Sequence, residues 1–213
     1  MRSKVQLIVG VLLGCLLSAA WTSLSHERAT AAVESAPAAA HEHAESDNEE
    51  LAAMYDADQA DRRPMMQGDW PTDRWTIGRL LARDVLRQAR LMTLYKGGAL
   101  CTGNDYYHAA MILQHSQRPD GFLLAHEFCV VAIAKGNKRA LWLAAATEDR
   151  FLMNIKRPQR FGTQYCTVAD GPMALYRVEP GVTDALRKEL HVPSLAEGKE
   201  LEAKFQKLYP GKR

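Results

Sequence analysis

The chain has 213 residues, of which 47% are hydrophobic, and its 27 Lys and Arg residues against 25 Asp and Glu residues give a formal net charge of +2. Proteins that bind nucleic acids present a basic face, so a charge this balanced argues against a nucleic-acid partner. The length suits one folded domain together with shorter terminal segments.

Residues 1–20 form a predicted signal peptide. A basic start precedes the uncharged residues 5–21, and small residues at positions 18–20 suit signal peptidase. Two alternatives stay open. The uncharged run approaches the shortest membrane-spanning helix, so residues 5–21 can instead be an uncleaved N-terminal anchor. Residues 12–15 also loosely resemble a lipoprotein cleavage box. Each alternative exports the rest of the chain, which is then periplasmic or secreted, or anchored to the inner membrane.

Residues 21–48 form a predicted disordered linker, because Ala, Glu, Ser, His and Pro dominate it and no apolar period runs through it. Its His41-Glu42-His43 stretch lacks a rigid third ligand nearby, so no metal site is predicted there. Residues 49–213 are then expected to form a single α-helical domain.

The domain carries no signature of a metal, a cofactor or a known catalytic class. Cys101, Cys129 and Cys166 are odd in number and lack the spacing of a metal site, so any disulfide among them stays unassigned. No zinc-protease, nucleophile-elbow or nucleotide-binding motif occurs. The sequence therefore leaves open whether the protein is an enzyme.

Apolar spacing and helix-breaking residues predict the secondary structure. Residues 49–63 and 73–95 read as two helices, and the second has arginines at positions 79, 83, 87 and 90 on one face. Such a face is either solvated and paired with acidic neighbours, or it docks an anionic partner.

Three more helices are expected at the centre of the domain, over residues 104–115, 120–136 and 137–153. Their short linkers predict antiparallel packing. A hairpin over residues 165–178 and two capped C-terminal helices should follow. The predicted fold is mainly α: an antiparallel helical bundle, or tetratricopeptide-like helical pairs, with a small β-hairpin near the C-terminus.

Polar residues inside the apolar stripes of the central helices mark a candidate site. Pairing residues outward from the two turns, with a rise of about 1.5 Å per residue, places six of them in about one layer: Asp105, His108, His126, Glu127, Asp149 and Arg150. Gln114 and His115 are expected nearer the other end. The layer is either a structural hydrogen-bond network or a functional pocket.

A polar loop over residues 157–164 follows the third central helix, and loops on rigid scaffolds tend to carry binding groups. We expect this loop to fold back against the His126 layer. Either Gln159 or Gln164 should then lie within hydrogen-bonding reach of one of five side chains: Asp58, Arg62, His108, His126 or Asp149.

Five motifs in this order resemble a bacterial family known only as a domain of unknown function, number six-six-two-four: MYDADQADR (54–62), DYYHAAMILQH (105–115), AHEFCVVA (125–132), WLAAATEDRFLM (142–153) and RPQRFGTQ (157–164). The resemblance covers roughly residues 54–195. It implies a domain without an assigned activity. It also places Asp58, Gln59 and Arg62 inside a motif, which raises them above ordinary surface charges.

The leading hypothesis is an exported cell-envelope protein that binds a polar ligand or peptide in a pocket near His126 and the loop. Its candidate binding residues are Asp58, Gln59, Arg62, Gln114, His115, Glu127, Arg150, Gln159, Thr163 and Gln164. The alternative is a hydrolase-like enzyme in which His108 or His126 is the general base and Asp105 or Asp149 orients it. A third reading is a purely structural helical scaffold.

Overall fold

The computed structural model of the protein describes residues 46–66, 71, 73–167 and 171–208. They form seven helices and a two-stranded antiparallel sheet: α1 (Glu49–Met66), α2 (Arg74–Lys96), α3 (Gly103–Leu113), α4 (Pro119–Ala134), α5 (Ala140–Asn154), β1 (Tyr165–Thr167), β2 (Met173–Leu175), α6 (Asp184–Glu189) and α7 (Leu195–Leu208). This architecture confirms the predicted fold class. The predicted signal or anchor and most of the predicted linker lie outside the described residues.

Local sequence sets the ends of the central helices. Thr102 caps α3 and forms a capping box with Asp105, so α3 begins at Gly103. Pro119 starts α4, where its missing N–H costs no helical hydrogen bond. Gly136 adopts φ +89 in the turn that follows α4, a conformation that suits glycine.

Helices α3, α4 and α5 pack as consecutive hairpins around the main apolar core. Fully buried alanines, including Ala109, Ala125, Ala132 and Ala146, let these helices approach closely. Helix α1 lies against α3, and its Leu51 enters the same core together with Leu91 of α2. Within the described residues, no helix has both the length and the apolarity needed to cross a membrane.

The arginine face of α2 turns towards α1, where acidic residues meet it. Arg83 Nε donates to Asp61 Oδ2 at 2.8 Å, Arg87 also donates to Asp61, and Arg90 Nη2 donates to Glu50 Oε2 at 2.7 Å. Arg83, Arg87 and Arg90 therefore pair with acidic neighbours, which is the first of the two arrangements expected for this face.

The small sheet and the C-terminal helices close the structure on one side. Strands β1 and β2 pair with Tyr165 opposite Leu175, and α7 packs against β2. The Tyr165 hydroxyl donates to the carbonyl of Gly198, and Phe205 contacts the Tyr165 ring edge-on. This side of the fold holds the loop over residues 157–164 in place.

Candidate functional site

Buried charged and amide side chains gather near the C-terminal ends of α1, α3 and α5, against the middle of α2. We call six of them the polar cluster, and each is at most 4% exposed: Asp58, Arg62, Asp84, Gln114, His115 and Arg150. They come from four different helices. Such a set has to be positioned by tertiary packing rather than by any single segment.

Arg62 joins two carboxylates at the α1–α2 contact. Its Nη1 donates to Asp58 Oδ1 at 2.7 Å, one turn earlier on α1, and its Nη2 donates to both carboxylate oxygens of Asp84 at 2.8 Å. Gln59 Nε2 donates to Asp58 Oδ2 at 2.9 Å, and Arg87 Nη1 lies 3.3 Å from Asp84 Oδ1. Positive and negative groups therefore alternate, which offsets the cost of burying each charge.

His115 faces the same carboxylate from the end of α3. Its Nε2 lies 3.5 Å from Asp58 Oδ2. Burial alone would raise the pKa of Asp58, but His115, Arg62 and Arg87 together hold that pKa below its ordinary value. Asp58 is therefore ionised at neutral pH, and the cluster contains a buried histidine–carboxylate pair.

Arg150 of α5 joins the cluster through a hydrogen bond to the Gln114 side-chain amide. Its Nη1 donates to Gln114 Oε1 at 2.9 Å, and Gln114 Nε2 lies 3.2 Å from the sulfur of Met111. Gln114 and His115 are neighbours at the end of α3. The C-terminal end of α3 therefore contacts α5 through Gln114 and α1 through His115.

Asp149, next to Arg150, anchors the polar loop to α5. Its Oδ1 accepts the backbone N–H groups of Arg160 at 2.7 Å and Phe161 at 3.0 Å, and its Oδ2 accepts the backbone N–H and the hydroxyl of Thr163 at 3.0 and 2.8 Å. Burial raises the pKa of Asp149 in spite of these four hydrogen bonds. Gly162 makes the tight path possible with φ +82.

Gln159 and Gln164 of the loop are hydrogen-bonded to each other, and the Gln164 side-chain oxygen accepts no hydrogen bond among the described residues. Gln159 Oε1 accepts the backbone N–H of Gln164 at 2.8 Å, and Gln159 Nε2 donates to the Gln164 carbonyl at 2.9 Å. Gln164 Nε2 donates to Thr163 Oγ1 at 2.8 Å and to the Ala146 carbonyl at 3.4 Å. Its buried Oε1 has no hydrogen-bond donor among the described residues. Ala146 precedes Arg150 by about one turn of α5, so this amide contacts α5 about one turn before Arg150.

The predicted single layer of polar residues is wrong. Asp105 is committed to the start of α3, where its carboxylate accepts the backbone N–H groups of Asn48, Cys101 and Thr102. Arg150 instead meets Gln114, nine residues later in α3 and therefore about 13 Å away along the helix. Helix capping decides the place of Asp105, and pairing residues outward from turns could not include it.

The other predicted members of the layer also serve packing. His108 stacks on Tyr55 with ring centroids 4.3 Å apart, and His126 Nδ1 bonds the Ala144 carbonyl at 2.9 Å. Glu127 is exposed on α4. Among the described residues, no hydrogen bond, ion pair or ring contact joins His108, His126 or Glu127 to the polar cluster.

The loop prediction is met in part. The loop does fold onto Asp149, but it does so through three backbone N–H groups and Thr163. The amides of Gln159 and Gln164 bond the loop, Ala146 and Tyr176 instead. In the described residues they show no hydrogen bond to the five side chains named for them.

Sequence reasoning missed one member of the cluster, Asp84. The available signal was its isolation, because it is the single acidic residue in α2 and it is surrounded by arginines. No group of three or more His, Cys, Asp or Glu side chains in the described ranges could hold a metal ion. Cys101, Cys129 and Cys166 are free thiols in this structure.

Comparison of the chain with protein-family models, with curated proteins and with solved structures finds no match. The resemblance to a domain-of-unknown-function family therefore stays a prediction.

Proposed function

We propose that the protein is an exported cell-envelope protein that binds a polar ligand or peptide at the polar cluster. The observation that carries the proposal is the burial of two arginines, two aspartates, a histidine and a glutamine at one end of the helices. Burying an ion costs several kcal/mol, and apolar replacements of buried ion pairs are often neutral or stabilising. Apolar residues at these positions would serve the stability of the fold equally well, so stability alone does not explain the polar cluster.

The chemistry of the cluster favours a ligand that carries both an anionic group and a hydrogen-bond donor. Guanidiniums are the side-chain groups that bind carboxylates and phosphates through a planar fork of N–H donors, and Arg62 and Arg150 bring two of them to the cluster. The buried Oε1 of Gln164 calls for an N–H or O–H group. Amino acids and short peptides combine these features.

The cluster is closed to solvent, so binding has to be coupled to a local opening at the ends of the helices. This coupling reduces the apparent affinity by the fraction of open molecules. Affinities in the micromolar to millimolar range, rather than tighter ones, are therefore expected for small probes.

The test is a thermal-unfolding screen of the full chain with amino acids, dipeptides, dicarboxylates and sugar phosphates. At least one probe should raise the melting temperature in a concentration-dependent manner, as ligands of the native state do. Arg150→Lys should lose this rise, because an ammonium cannot reproduce the guanidinium fork. Arg139→Lys, an exposed arginine near the other end of the bundle, is the matched control and should retain it. A screen without any shift, or a shift kept by Arg150→Lys, contradicts the proposal.

Export is tested separately, because it rests on the basic start and the uncharged residues 5–21. A C-terminal reporter that works only outside the cytoplasm should be active in cells that produce the full chain. Activity of a cytoplasm-only reporter in its place would remove the envelope assignment and leave the ligand proposal standing.

The contact between His115 and Asp58 favours a second candidate, a hydrolase-like enzyme. An ionised carboxylate 3.5 Å from an imidazole can orient it and stabilise its protonated form during general-base catalysis. The pair differs from those expected from the sequence, since His108 and His126 have other partners. Hydrolysis of a dipeptide or ester probe that is lost in His115→Gln and kept in His108→Gln would support this candidate. Equal hydrolysis by both variants would reject it.

A further inference from the structure

The outward face of α2 is apolar, although α2 lies at the surface. Leu80, Asp84, Leu91 and Leu94 form the buried face of this helix. On the opposite side Trp75 is 75% exposed, Leu86 is 70% exposed and Val85 is 60% exposed. At 100° per residue these three side chains fall within one broad face, together with Gly78, Ala82 and Ala89.

An apolar groove continues this face towards the next helices. It has a volume of about 280 Å³ and runs between α2, the end of α3 and the start of α4. Ala89 and Met92 line it from α2, and Leu113 and Leu124 line it from the other side. The exposed apolar surface is therefore broader than a single helix.

Basic residues border the face, and no exposed acidic residue lies on α2. The helix contains five arginines and Lys96, and its single acid, Asp84, is buried. Three of the arginines pair with α1 or Asp84. Arg74, Arg79 and Lys96 are exposed and have no ion pair among the described residues. The face therefore combines apolar side chains with uncompensated positive charge.

We propose that this face of α2 docks on an anionic lipid surface. Exposed Trp and Leu beside Arg and Lys are the composition of helices that lie in the plane of a membrane interface. A helix of 23 residues presents about 35 Å of such a face. The predicted apolar segment at residues 5–21, when it is retained as an anchor, would keep the domain close to a bilayer.

Charge repulsion disfavours the packing of a second copy of the chain on this face of α2. Two α2 faces packed against each other would bring Arg74, Arg79 and Lys96 close to the same basic residues of the other copy. Helix α2 itself carries no exposed acid, and the exposed Asp120 at the rim of the groove is paired with Arg118, so neither offsets this repulsion. An anionic surface is complementary to both the apolar and the basic groups. This inference does not depend on the polar cluster.

The test measures binding of the full chain to vesicles of phosphatidylcholine alone and of phosphatidylcholine with phosphatidylglycerol. Exposed basic residues are attracted to anionic lipids, so the anionic vesicles should bind at least about tenfold more tightly. Leu86→Glu and Arg79→Glu should each remove most of this difference. Val130→Glu is the matched control, because Val130 is 52% exposed on α4 and does not line the groove. It should bind like the parent.

Binding through the N-terminal segment, with its basic Arg2 and Lys4, would contribute equally to all variants, so the comparison between variants isolates α2. The melting temperature of each variant checks that the fold is intact. The proposal is overturned if phosphatidylglycerol has no effect, or if Leu86→Glu binds anionic vesicles as Val130→Glu does. A dimer in light scattering that Leu86→Glu dissociates, without any change in vesicle binding, would assign the face to a second copy instead.

Discussion

Asp149 illustrates a buried carboxylate whose hydrogen bonds are all made to a loop. Asp149→Asn should destabilise the protein by about 3 kcal/mol, because the amide NH2 would face backbone donors that need an acceptor. Urea unfolding measures this loss. Glu148→Gln is the control, since Glu148 is only partly buried and pairs with Arg160 at 2.8 Å. It should cost less than about 1 kcal/mol. Similar costs for both variants would contradict the anchoring role.

His108 should make stability depend on pH in one direction. Burial, and then the nearby Arg139, lower the pKa of His108 in the folded state. In the unfolded chain the pKa is about 6.5. Below that pH the unfolded state binds a proton that the folded state excludes, so stability is lost as the pH falls from about 7 towards 5.

The variant His108→Phe keeps an aromatic ring against Tyr55 and removes the titrating group. Its unfolding free energy should therefore fall less steeply than that of the parent between about pH 7 and 5. His191→Asn is the control, because His191 is exposed at φ +56, a conformation that Asn accepts. An unchanged slope in His108→Phe would show that other groups cause the pH dependence.

At the scale of elements, Arg62 holds α1 against α2. Arg62→Met leaves Asp58 and Asp84 buried without their shared cation, which should cost about 3–5 kcal/mol. Arg83→Met is the matched control, because the Arg83 side chain is 40% exposed beside Asp61. It should cost less than about 1 kcal/mol. Denaturant titration of both variants decides, and equal losses would mean that the buried pair contributes no more than a surface one.

Most helices could be predicted from the sequence, because their signals are local. The apolar stripe of α5 and the Thr102 cap of α3 are visible in short segments. Helix α1 continues to Met66 past its predicted end before Pro64. The helix continues past Pro64 because a proline in the last turn removes few helical hydrogen bonds, so the sequence predicts the end of α1 too early.

The candidate site was harder to predict, since it depends on which helix faces meet. The sequence marks five members of the cluster as binding candidates: Asp58, Arg62, Gln114, His115 and Arg150. Their predicted grouping is wrong, because Arg150 contacts Gln114 and lies away from the layer of Asp105. Asp84 was missed because its partner Arg62 lies 22 residues earlier on another helix. Contacts of this kind follow from tertiary packing and leave no spacing in the sequence.

At the scale of the molecule, two groups of buried polar side chains lie near opposite ends of the central helices. At one end Asn48 and Asp105 cap and join helix starts. At the other end Asp58 and His115 belong to a cluster that caps no helix start. The first arrangement explains stability and leaves little for a ligand. Burying the charged groups of the second costs folding free energy, so a functional role is the better explanation for that cluster.

The start of the folded domain lies before the predicted boundary at residue 49. Asp47 accepts hydrogen bonds from the Thr102 hydroxyl at 2.6 Å and from Asn104 at 2.8 Å. Asn48 donates through its backbone N–H to Asp105 and through its side chain to the Ala99 carbonyl. These two residues therefore tie the start of α1 to the start of α3.

Two truncations test this boundary. A chain that begins at residue 46 should unfold at the same denaturant concentration as the full chain, because Asp47 and Asn48 remain. A chain that begins at residue 49 loses both residues, and with them one of the three backbone partners of the buried Asp105 and the cap that accepts the Leu51 N–H. It should be less stable by about 2–4 kcal/mol. Equal stability of the two truncated chains would return the boundary to residue 49 and make the Asn48–Asp105 contact dispensable.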